Sequence, residues 1–162
     1  MATKRQIFFS FHFDNDVMRV QQIRNIGALE DNQPVSVNDW ETVKKGGDAA
    51  IEKWIKDNMN YRSCVVVLIG ESTSDRKWVK HEIKKAWEDG KGVVGIHIHN
   101  LKCPRNGTSN KGANPFDQFT VGGEKLSSII KCYNPDSTNA YNTIKDNIED
   151  WIEEAIKIRN NN

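Results

Sequence analysis

Three short apolar runs interrupt an otherwise polar chain: IFFSF (Ile7 to Phe11), CVVVLIG (Cys64 to Gly70) and VVGIHIH (Val93 to His99). The middle run does not alternate, and a continuous β-branched run marks a strand buried on both faces, as at the centre of a parallel sheet. PVSV (Pro34 to Val37) is a weaker fourth strand candidate. Helical spacing fills the gaps. After Asp14 or Asp16 as N-cap, apolar residues recur at Val17, Val20 and Ile23; after Asp48 as N-cap, at Ile51, Trp54, Ile55 and Met59. A third helix, RKWVKHEIKKAWEDG, stops near Gly90. The last, from about Tyr141 to Arg159, carries Ile144, Ile148, Trp151, Ile152, Ala155 and Ile156 on one face.

This alternation of strand and helix predicts an α/β fold, an open, mostly parallel sheet with right-handed crossovers and helices on both faces. Ligands of such sheets bind beyond the carboxyl ends of the strands. That rule selects SFHFDND after the first strand, NDWETVKKGG after the weak one and GESTSDRKW after the strong one. Residues 1–159 are expected to form a single domain, with 101–123 an irregular loop held down by Phe116 and Phe119, 139–159 the terminal helix and 160–162 a disordered tail.

A chain of 162 residues is about one domain long. Its 23 Lys and Arg against 22 Asp and Glu give a net charge of +1, so no global field draws it to nucleic acid or an anionic membrane, and a ligand must be held locally. The basic start MATKRQIFFSF has too short an apolar run for a signal peptide or a membrane span, which points to a cytoplasmic protein. Cys64, Cys103 and Cys132 are widely spaced and read as reduced thiols, Cys64 within a strand.

The third helix carries the least ordinary residue. At about 100° per residue, Trp78, Val79, Ile83, Ala86 and Trp87 form one apolar arc opposite Lys77, Lys80, His81, Lys84 and Lys85. Glu82 falls inside the apolar arc. Burying a charge without a partner costs several kcal/mol, roughly, so this carboxylate either has a structural partner, such as Arg76, Lys85 or a backbone amide, or faces a functional pocket. Nucleotide-cradling glycine motifs, HExxH and GxSxG are absent. His97 and His99 share a strand face, but no third ligand follows at metal-binding spacing, and no metal or other cofactor is expected. Lys44, Lys45, Gly46 and Gly47 read as an ordinary loop before a helix, with phosphate binding as the sharper alternative. Trp54 and Trp151 read as core.

The strand ending FFSFHFDND, followed by IGESTSDRKWVKHEIKKAWEDGKGVVGIHI, resembles a TIR domain, whose signature is a serine-bearing loop and then a helix with Trp and, four residues on, Glu. KGANPFDQF and the Trp40 loop extend the resemblance to the TIR-like subunits of the Thoeris anti-phage defence system. The resemblance implies a flavodoxin-like TIR fold and, in catalytic members, cleavage of the bond between nicotinamide and ribose in NAD+. It places the catalytic glutamate at Glu82 and the nucleotide pocket at Ser10, Phe11, His12, Trp40, Ser72 and Trp78. It further implies a cyclic ADP-ribose-type signal read by a separate effector protein, and homo-oligomers through TIR contacts. A non-catalytic interaction module and a nucleoside deoxyribosyltransferase-like enzyme are the rival readings.

Overall fold

The computed structural model describes residues 7–11, 23, 45–60, 62–101 and 110–162. Strand β1 is Ile7–Ser10, β2 Cys64–Ile69 and β3 Gly92–His97. Helix α1 covers Gly47–Met59, α2 Lys77–Glu88 and α3 Ala140–Asn160. A short strand, β6 (Cys132–Tyr133), completes a four-stranded parallel sheet in the order β1-β2-β3-β6. Between β3 and β6, the two-residue strands β4 (Thr120–Val121) and β5 (Glu124–Lys125) form a small antiparallel hairpin. The α/β fold with a mostly parallel sheet is the predicted one. The weak strand at Pro34 to Val37 and most of the first predicted helix lie outside the described residues, although Ile23 from that helix is fully buried.

Every residue of β2 is buried, as its unbroken apolar run requires of a strand with neighbours on both edges and helices on both faces. Pleating divides the core in two. Ile7, Cys64, Val66, Leu68, Val94 and Ile96 face Ile144, Ile148, Ile152 and Ala155 of α3. Phe8, Val65, Val67, Ile69 and Val93 face Ile51, Ile55 and Met59 of α1 and Val79, Ile83 and Ala86 of α2. Ser10 follows Phe8 by two residues and therefore belongs to this second face.

Several local expectations are corrected. Asp48 does not cap α1: the N-cap is Gly46 with no side-chain cap bond, and Asp48 in the first turn pairs with Lys77 of α2 at 2.6 Å. β3 ends at His97, opposite the last residue of β2, and the Ile98 N–H to the Ile69 carbonyl is the final bond of that parallel ladder. The segment after Leu101 is not irregular throughout, since it holds a 3₁₀ turn, Pro115–Gln118, while Phe116 is fully buried as expected. α3 runs through Asn160, one residue past the predicted end, and the Asn161 and Asn162 amides bond to carbonyls of its last turn. Gly90 does end α2: at φ +78° its N–H reaches the Trp87 carbonyl, and the Lys91 N–H reaches that of Ala86.

Gly92 fixes how closely α3 lies on the sheet. A Cβ there would stand 2.8 Å from the Ile156 backbone nitrogen and 3.0 Å from the Ala155 carbonyl carbon. Backbone cannot move aside as a side chain can, so Gly92→Ala is expected to cost about 1–3 kcal/mol. The check is a lower denaturation midpoint in urea at an unchanged m-value; an unchanged midpoint would mean that α3 shifts freely.

Candidate functional site

Helix α2 delivers Glu82 to the carboxyl end of the sheet. Its Val79, Ile83 and Ala86 are buried against the sheet, Trp78 and Trp87 are half-buried at the margins, and Lys77 and Lys84 face solvent. Glu82, in the same stripe, is only 7 % exposed. It has neither of the cationic partners considered from the sequence, since Lys85 is taken by Asp89 at 2.8 Å. Instead the Ser10 hydroxyl, at the last position of β1, donates to Glu82 Oε1 over 2.6 Å. Ser10 itself is fully buried. Two residues 72 positions apart thus meet at the end of the sheet where the crossover rule places ligands.

Burial pushes the Glu82 carboxyl up to about 8, with the Ser10 hydrogen bond opposing part of the rise. A carboxyl held near neutrality is available both as acid and as carboxylate, an arrangement that structural glutamates rarely reach.

The loop between β2 and α2 forms a second wall. The Gly70 N–H donates to Thr73 Oγ1 at 2.7 Å, closing the strand into a 3₁₀ turn, Thr73–Asp75, in which Thr73 and Ser74 are buried. Ser72 caps this turn and is half-buried. The segment 110–118 braces the loop from outside. Asn110 Nδ2 donates to Glu71 Oε1 at 2.9 Å, and Gln118 Nε2 donates to the Ser74 carbonyl at 2.8 Å. Gly112 lies so close that a Cβ would fall 2.1 Å from the Gly70 carbonyl oxygen. No local pattern in the sequence singles out Thr73, Ser74 or Gln118. Only the glycine of KGANPFDQF hinted at a close backbone approach.

Of the other predicted site residues, Phe11 is half-buried immediately after Ser10, packed against the α3-side core. Trp78 is half-buried in the first turn of α2, its ring edge-on to His81 at 5.5 Å and beneath the Lys77 ammonium at 4.8 Å. His12 and Trp40 lie outside the described residues. His97 and His99 emerge on the same sheet face as Ser10, their rings edge to face at 5.8 Å. Burial, reinforced by Lys111 and His99, lowers the His97 imidazole to about 4, so it is neutral at physiological pH. Among the described residues no group of three His, Cys, Asp or Glu side chains could hold a metal, and no helix is long and apolar enough to cross a membrane.

Comparison with known proteins identifies the family of the chain. Residues 8–103 match the family described as "Thoeris protein ThsB, TIR-like domain". A protein of Bacillus cereus (strain MSX-D12) named "Putative cyclic ADP-D-ribose synthase ThsB1" is 36% identical over 131 residues, spanning 75% of this chain and 68% of that protein.

The perturbed carboxyl has a measurable consequence for stability. Between the unfolded value of 4.5 and about 8, the folded protein holds a proton on Glu82 that the unfolded chain has lost. Stability contributed by that proton is present below the unfolded value and falls as pH rises, by up to about 1.4 kcal/mol per pH unit. Glu82→Gln, which cannot ionise, should remove this slope and be the more stable protein at pH 8. Urea midpoints of both proteins from pH 5 to pH 8.5 give the comparison; parallel curves would show a Glu82 of ordinary acidity.

Proposed function

Because the chain belongs to the TIR-like family of Thoeris ThsB proteins, we propose that it cleaves the bond between nicotinamide and ribose in NAD+ and closes the ADP-ribose part into a cyclic signal, with Glu82 as the catalytic carboxylate. The observation that carries the reading is the buried Glu82 carboxyl at the carboxyl end of the parallel sheet, held by Ser10 and raised to about 8. The name of the Bacillus cereus relative supports cyclisation as the outcome.

The chemistry asks little of the protein beyond one well-placed charge. Nicotinamide in NAD+ is bound through a cationic ring nitrogen and leaves as a neutral molecule, so its departure needs no general acid. The bond's electron pair goes to the nicotinamide ring, and positive charge develops on C1′ and the ring oxygen of the ribose. A carboxylate that accepts hydrogen bonds from the ribose hydroxyls and lies beside this charge stabilises the transition state more than the ground state. Glu82 is buried away from bulk water, so the interaction is stronger than in water. If a nitrogen of the substrate's own adenine attacks C1′, the product is a cyclic ADP-ribose; if water attacks, it is linear ADP-ribose. Phe11, Ser72 and Trp78, with His12 and Trp40, complete the pocket, the aromatic rings offering faces for nicotinamide or adenine. The cyclic product then activates a separate effector during phage infection.

Liquid chromatography with mass spectrometry of NAD+ incubated with wild-type and Glu82→Gln protein, and of lysates from phage-infected cells expressing each, tests the proposal. Wild type should release nicotinamide and a cyclised ADP-ribose, and Glu82→Gln should lose about 10²- to 10³-fold in turnover. A folded Glu82→Gln protein with full turnover would remove the mechanism, and no NAD+ product in either setting would leave an interaction module. The pH dependence carries a sign as well. The carboxylate form is the active one, so kcat/KM should rise with pH towards a midpoint near 8. The cationic nicotinamide favours ionisation, so the corresponding limb in kcat should lie at lower pH.

A further inference from the structure

Ser10 has one hydroxyl proton, and the hydroxyl donates it in a hydrogen bond to Glu82 Oε1. The serine is fully buried at the last position of β1, pointing to the α2 face of the sheet with Phe8 two residues before it. At 2.6 Å its contact with Glu82 Oε1 is short, and once the carboxyl ionises it is a charge-assisted hydroxyl–carboxylate bond, roughly twice as strong as a neutral one. A carboxylate has two oxygens and a freely turning end. Fixing one oxygen to the last residue of β1 sets the orientation of the other.

We propose that Ser10 is a positioning residue, which anchors Oε1 of Glu82 to the sheet so that the second carboxylate oxygen is the one presented to the ribose. This rests on the NAD+ reading of the site. It assigns Ser10 a role different from lining the nucleotide pocket, because a fully buried hydroxyl that has already donated its proton acts through Glu82. The same bond favours the ionised form, since the hydroxyl donates to the carboxylate. No other described group does so. The elements packed around Glu82 carry Asp75 and Arg76 before α2, His81 and Lys85 on it, and Asp48 and Glu52 on α1. None of these contributes to the shift, which among the described residues is set by burial and by Ser10. The serine therefore couples two properties that the chemistry needs together, the direction of the carboxylate and its charge near neutral pH.

Ser10→Ala and Ser10→Thr test this with two readouts. The folded-state titration of Glu82, taken from the pH dependence of stability relative to the same protein carrying Glu82→Gln, should move upward by about one pH unit in Ser10→Ala and stay in place in Ser10→Thr, which keeps the hydroxyl. The kcat/KM profile for NAD+ should move to the alkaline side by the same amount. That is a loss of about tenfold at pH 7 that narrows above pH 9. An unmoved midpoint in Ser10→Ala overturns the proposal, and so does turnover lost equally at every pH, the mark of a direct substrate contact. If wild-type protein yields no NAD+ product, the functional reading fails separately, while the stability titration still decides whether Ser10 holds Glu82.

Discussion

A carboxyl group that is only 7 % exposed and, among the described residues, is hydrogen-bonded by one serine hydroxyl is the constraint from which the rest of the site follows. An isolated ionised carboxylate in such a place would cost several kcal/mol, roughly. The protein accommodates it by letting the proton stay until about pH 8 and by supplying one strong donor. The surrounding packing of Val79, Ile83 and Ala86 on the sheet offsets the cost of burying the carboxyl.

Holding that arrangement needs three parts of the chain in register. β1 must end at Ser10 with the pleat phase that turns its side chain towards α2, and β2 must run beside it, Ser10 opposite Val67. The loop after β2 must then start α2 at the right height. That loop is fixed from inside by Thr73 and from outside by Asn110, Gly112 and Gln118. Phe116, from the same outer segment, occupies the notch left by Gly95 in β3. The segment between β3 and β6 is thus part of the support of the site, despite its irregular composition.

The sequence made the helix legible and the partner invisible. Glu82 in an apolar arc is a local fact, readable from helical periodicity over a dozen residues. Its bond to Ser10 depends on strand order and pleat phase across 72 positions, which no local pattern encodes. The continuous apolar run of β2 announced a central strand for the same local reason. β6 is two residues long and has no periodicity to read, so it emerges only as the partner of Gly95 and Ile96 in β3. Asp48 misled because an acidic residue ahead of an apolar run is an ordinary cap, whereas here it meets Lys77 from another helix. The family resemblance implies one pocket for Ser10 and Glu82; their direct hydrogen bond is a property of the folded chain.

The most direct test of the account is a carbon-13 NMR titration of the Glu82 carboxyl, assigned by its loss in Glu82→Gln, in free protein and with a carbocyclic NAD+ analogue that cannot be cleaved. The account predicts a midpoint near 8 in the free protein and a lower one with the cationic analogue bound. A midpoint near 4.5 in the free protein, or one indifferent to the analogue, would contradict it and make Glu82 an ordinary carboxylate of the fold.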